Sequence, residues 1–274
     1  MSTNDQQQPQ TQVISLQTIS QNFLGALQRQ FDLLAYNLAA AQQVDAEHYE
    51  SFARQSKIMP VQQLHQNFGQ IQAYSRGLIL RQTINDLLNM TTACMDNCHL
   101  LCALVKNQGT DKTATEETQK AVAEAQGSFV RAPLNDKFER LEKEFGIMCE
   151  MEDAIIAVAI GLRVLMTRNA TVATEDLDDD GELVFEFKTV QTINPPKGSE
   201  KLQPEIRIVD TRRAFKAGDI LDLSNSEMLG LSITIASFFH NLFRSVDEFG
   251  RKTLGERAAT PPPPSGESKP PPNP

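Results

Sequence analysis

Arg163 and Arg168 are the residues best placed to hold an anion. They sit in Gly161-Leu-Arg-Val-Leu-Met-Thr-Arg-Asn169, the polar end of an apolar segment. A guanidinium can clamp phosphate or carboxylate through two parallel N–H bonds, and a cation is favoured at a helix C-terminus. Five positions apart, the two arginines do not share one helix face cleanly. The plainer alternative is a helix closed by Arg168 and capped by Asn169. Arg212 and Arg213, with Lys197, Lys201, Arg207 and Lys216, form a modest basic cluster further on. It suits RNA, an acidic protein, or ordinary solvated surface.

Two other sets contain metal-ligand types. Asp176, Asp178, Asp180 and Glu182 occupy positions one, three, five and seven of a calcium-loop pattern, with Gly181 at its sharp turn. Position twelve is Phe187 instead of a bidentate glutamate, and a strand is expected to follow where a calcium-binding hand needs a helix. An acidic, solvated turn is the competing expectation, and a divalent cation is the one cofactor the chain suggests. Cys94, Cys98 and Cys102 recur every four residues with His99 beside them, and Cys149 offers a ligand from a neighbouring helix. Tetrahedral zinc needs ligands converging from more than one element, and free cysteines also serve as small core residues. His240 lies in Ser237-Phe-Phe-His-Asn-Leu-Phe243, where apolar neighbours predict a satisfied histidine near the core.

The elements that must position these groups are mainly helical. Leu16, Ile19, Phe23, Leu27, Phe31, Leu34 and Leu38 trace one apolar stripe, which predicts a helix from about 13 to 43. Asp45 caps a short helix over 45–57, and Pro60 opens another over about 60–74. Gly77 is expected to kink or divide the chain before a long helix over 78–105. Pro133 starts a charged helix with Glu139, Arg140, Glu142 and Lys143 facing water, and Gly146 separates it from an apolar helix over 147–168. Then the period changes. Leu183–Val190 and Ile206–Val209 read as strands, and Ile220–Leu223 as a third. Ser224 and Glu227 form a capping box for a last helix over 225–249. The expected fold is therefore mainly α, a multi-helix bundle with a β-hairpin or three-strand insertion before the last long helix.

Five segments follow. Residues 1–12 read as a disordered Gln-rich start, 13–109 as a helical region and 110–132 as a polar connector or marginal helix. Residues 133–250 read as a second helical region carrying the β unit, and 251–274 as a proline-rich disordered tail.

Composition narrows the function classes. There are 35 acidic against 26 basic residues, a net charge of −9, which argues against a broad nucleic-acid surface. Tryptophan is absent and tyrosine occurs three times, too few for an aromatic base-stacking platform. No phosphate-binding glycine loop, zinc-protease motif or serine-hydrolase elbow occurs. The start has no basic segment leading into an apolar run, and the thiol-bearing helix suits a reducing compartment, so a cytoplasmic protein with no membrane partner is expected.

The order of a charged helix, an apolar helix ending Arg168-Asn169, acidic turn residues, a small β unit and a capped terminal helix resembles the HEPN superfamily. The likeness is to its bacterial members linked to phage defence and abortive infection, and it covers roughly residues 134–250. It implies a dimerising helical bundle and, in active members, a metal-independent ribonuclease using an arginine and a histidine four to six residues later. Carried over by position, Arg168 is the motif arginine and Asn169 its polar partner. Ala173 stands in the histidine slot, and His240 is a candidate for a compensating histidine. Without that imidazole the acid–base partner is missing. The expectation is a non-catalytic protein acting by RNA binding, homodimerisation or regulation of a partner. The alternatives are a structural or protein-interaction module, with the proline tail as one docking segment, and a metal-dependent hydrolase built on the 176–182 loop.

Overall fold

Ser15 begins the first helix by accepting the Thr18 N–H at 3.1 Å. The computed structural model describes residues 14–56, 65, 67–107, 116–193 and 205–259. Helix α1 (Leu16–Gln43) buries the predicted stripe at Ile19, Phe23, Leu27, Leu34 and Leu38. Helix α2 (Ala46–Ser56) is capped as expected, the Asp45 carboxylate accepting the His48 N–H at 2.8 Å.

Helix α3 (Phe68–Asn107) is one continuous helix of 40 residues that passes through Gly77. The expected division at Gly77 is therefore corrected. One glycine costs a helix interior only about 1 kcal/mol, which the buried stripe from Leu80 to Cys102 offsets easily. Of the helix expected over about 60–74, the opening at Pro60 lies outside the described residues, and 68–74 form the first turns of α3.

Helix α4 (Glu116–Arg131) resolves the 110–132 region into a helix where described. Helix α5 (Leu134–Phe145) ends on Gly146, whose φ of +68° is the left-handed turn that lets its N–H reach Glu142 O at 2.7 Å and lets Ile147 N–H reach Leu141 O at 3.2 Å. Helix α6 (Glu152–Thr167) starts later than expected, after a turn at 147–151.

Strands β1 (Leu183–Ile193) and β2 (Glu205–Phe215) pair antiparallel, Leu183 opposite Phe215 and Ile193 opposite Glu205. The third strand does not form. Ile220 makes one isolated bridge to Thr171, while Leu221 N–H bonds Ala170 O at 2.8 Å and Val172 N–H bonds Asp219 O at 3.0 Å. The chain after the hairpin is thus stitched to the chain after α6.

Helix α7 (Asn225–Ala259) begins with the predicted capping box, Ser224 N–H to Glu227 Oε2 at 2.7 Å and Glu227 N–H to Ser224 Oγ at 3.2 Å. It runs past 250 into what composition assigns to the tail. The Gln-rich start, Pro60, the loop with Lys197 and Lys201, and the proline run after 259 lie outside the described residues.

The core is a continuous apolar cluster in which α3 contacts α1, α4, α6 and α7, and the hairpin lies on α6 and α7. Phe23 of α1 meets Phe239 of α7 with ring centroids 4.0 Å apart. Gly161 and Gly230 let the hairpin approach closely. A Cβ at Gly161 would fall 2.6 Å from Phe185 Cζ, and one at Gly230 would fall 2.9 Å from Thr189 Cγ2. No described helix is long and apolar enough to cross a membrane.

Candidate functional site

Helix α6 delivers both arginines of the anion-clamp expectation. Val164 O accepts Arg168 N–H and Ala170 N–H, and Asn169 and Ala170 take φ of +50° and +68°. This left-handed exit, which asparagine tolerates better than alanine, swings the chain into a 3-10 turn over Thr174–Asp176. The turn returns Asp176 under the helix end. Its carboxylate, with no exposed side-chain surface, accepts from Arg163 Nη2 at 2.8 Å, from Arg168 Nη1, and from Ala173 N–H at 2.9 Å. Arg168 Nη2 also bonds Glu175 Oε1 at 2.6 Å.

Burial alone would push the Asp176 carboxyl up. The Ala173 N–H and the two guanidinium groups outweigh it and hold the acid below its usual range. Arg168 is therefore a lock between α6 and the loop that follows. Ala173 contributes a backbone N–H to that lock, and Asn169 is exposed.

Of the remaining basic candidates, Arg207, Arg212 and Arg213 are also paired within the chain. Arg212 Nη2 bonds Glu182 Oε2 at 3.1 Å, and Arg213 Nη1 bonds Glu227 Oε1 at 3.3 Å while lying over the Phe215 ring. Arg207 pairs with Glu205 at 2.7 Å. His240 is exposed on α7, against the expectation of a core position; its apolar neighbours Phe238, Phe239 and Leu242 point inward without it.

The acidic loop does not assemble a calcium shell. Asp176 is occupied by arginines, and Asp178 Oδ1 accepts the N–H groups of Asp180 and Glu182, both at 3.0 Å. Asp178 and Asp180 are exposed, as an acidic turn opening a strand requires, whereas Asp176 departs from that expectation.

The thiols are core residues. Cys94, Cys98 and Cys102 are buried and Cys149 is half-buried. Burial pushes Cys102 and Cys149 up to about 12, keeping them protonated at neutral pH. The ring nitrogens of His99 are taken up by other partners. Its Nδ1 is 2.7 Å from Gln126 Oε1, its Nε2 is 3.4 Å from Glu144 Oε2, and it stacks on Phe129 with centroids 3.9 Å apart. Among the described residues no group of three His, Cys, Asp or Glu side chains is arranged to hold a metal.

Two features were not anticipated. Lys137 is buried, its Nζ donating to Asp96, to Phe129 O at 2.8 Å and to Val130 O at 3.2 Å, and sitting 4.5 Å from the Phe129 ring centroid. Its place between Leu134 and Leu141 on one helical stripe was the available signal.

The second feature is the distal half of the hairpin. Near its root, Leu183, Phe185, Phe187 and Phe215 are buried, and Lys188 N–H on the outer edge of β1 bonds Thr234 Oγ1 of α7 at 2.9 Å. Further out, Val190 faces Ile208 and Thr192 faces Ile206 on one face of the pair. Ile206 is 71% exposed, Ile208 62% and Val190 47%. Among the described residues no strand covers the far edge of β2. The alternation Ile206-Arg207-Ile208 signals a half-buried strand; what it cannot signal is that no described strand of this chain covers it. No protein-family model, no curated protein and no solved structure matches this chain.

Proposed function

We propose that this protein is a helical protein-interaction module that assembles with a second copy through its β arm. The observation that carries this is the exposed apolar face of Val190, Ile206 and Ile208 beside a β2 edge that no described strand covers. Such an edge offers unpaired N–H and C=O groups, and an apolar face beside it gives a second strand something to bury. Pairing β2 with β2 of another copy about a two-fold axis at Arg207 sets Ile206 of each beside Ile208 of the other. It also brings the two Arg207 side chains together, each already paired with its own Glu205.

The arginine geometry argues against RNA processing. Arg163, Arg168, Arg212 and Arg213 are all engaged by the chain's own carboxylates, so an RNA phosphate would have to displace them. The HEPN resemblance, with Ala173 in the histidine slot, adds no acid–base group to that arrangement.

The test is mass in solution by light scattering for the wild type and for Ile206→Thr/Ile208→Thr. Threonine keeps β propensity while removing the apolar surface. The wild type is expected at twice 30.5 kDa and the variant at 30.5 kDa. A monomeric wild type, or equal masses, would overturn the arm assignment.

A further inference from the structure

A cleft of about 480 Å³ lies between α6 and the root of the hairpin. Its floor is apolar, with Ile156, Ile160, Leu177 and Val184 partly exposed. Its rim is acidic, formed by Asp153, Asp178, Glu182 and Glu186. Arg212 is the one cation among the described lining residues, and it is held by Glu182. Asp176 reaches the cleft already balanced by two arginines. Among the described residues no ion pair neutralises Asp153, Asp178 or Glu186. The acid crowding extends beyond the rim: burial, and then the neighbouring Asp153 and Glu142, push the Glu152 carboxyl up.

A floor that favours aliphatic stems under a rim that favours cations matches one kind of side chain, the long basic residue whose methylenes bury while its head stays wet. We propose that this cleft receives an amphipathic helical segment of a partner protein that presents lysine or arginine beside aliphatic residues. This surface is separate from the β arm, so a chain with a disabled arm retains it.

The probe is a fluorescein-labelled amphipathic peptide of lysine and leucine, about four helical turns long, followed by anisotropy. A glutamate–leucine peptide serves as the control. The wild type is expected to bind the basic peptide, more weakly as salt rises, and not the acidic one. Asp153→Lys/Glu186→Lys is expected to lose at least about tenfold in affinity. Asp32→Lys/Asp136→Lys makes the same change of net charge on exposed residues outside the cleft and is expected to lose less than about twofold. Ile206→Thr/Ile208→Thr is expected to bind like the wild type, which separates this site from the arm. Each variant is first shown to melt like the wild type.

Absent binding by the wild type would overturn the proposal, as would equal losses in the two charge-reversed proteins. Full affinity in Ile156→Ser would also overturn it, because charge alone would then suffice. A peptide that converts a dimer to monomers would assign the cleft to a second copy instead.

Discussion

The root and the tip of one hairpin differ in what covers them. At the root, Phe185 is buried against Gly161 of α6, stacked on Phe187 with centroids 5.7 Å apart and edge-on to Phe215 at 5.9 Å. The edge of β1 is closed by Thr234, and the loop entering β1 is locked by Asp176 between Arg163 and Arg168. At the tip the same two strands continue in register, but Val190, Ile206 and Ile208 are exposed, and the ion pairs Lys188–Asp210 and Arg207–Glu205 are open to solvent. A strand pair by itself is marginal in water. The root holds the tip in place, and the tip offers a surface the bundle does not use.

That difference breaks most visibly at Phe185. Phe185→Ala opens a cavity under the root and is expected to lower unfolding free energy by about 3–5 kcal/mol in denaturant titration, as for other buried aromatics. A loss as small as that of a surface substitution would mean the root is not the anchor.

The next largest effect is on acid stability. Burial holds the folded His99 imidazole below its ordinary 6.5, against the upward pull of Gln126 and Glu144. The unfolded chain therefore takes up this proton first. Stability is full above about pH 6.5, falls as pH drops through it, and levels off below the folded value. Asp176 is lowered from 3.8, so its contribution is full above that pH and is lost as pH falls through its folded value. Unfolding free energies across a pH series should show both steps. His99→Gln is expected to remove the upper step, and Asp176→Asn to shrink the lower one, to which the lowered Glu144 and Asp45 also contribute. A single step unaffected by Asp176→Asn would mean that the arginine lock does not hold the root.

The smallest effect belongs to the tip. Ile206→Thr/Ile208→Thr is expected to change the stability of the monomer by no more than about 0.5 kcal/mol, the range of ordinary surface sites. A larger loss at concentrations where only monomer is present would place the tip inside the fold's own core.

Local features of this fold were legible in the sequence, and convergent ones were not. The α1 stripe, the Asp45 cap, the Gly146 stop and the Ser224–Glu227 box each depend on residues within one or two helical turns. Gly77 misled because a breaker acts on local propensity, while burial along α3 decides the outcome. Ile220–Leu223 has strand composition, but those residues bridge to 170–172 instead of joining the sheet. The role of Arg168 turned on Asp176 folding back beneath the helix end, which follows from the left-handed exit at Asn169 and Ala170. The burial of Lys137 needs Asp96, 41 positions away, and two carbonyls from the end of α4.

Hydrogen exchange of the β2 amides from 205 to 210, followed against protein concentration, tests the assembly claim most directly. Alternate amides on this strand point away from β1. In a dimer joined through the arm, these outward amides gain protection as concentration rises, and they lose it in Ile206→Thr/Ile208→Thr. Outward amides that exchange equally fast at every concentration would contradict the account.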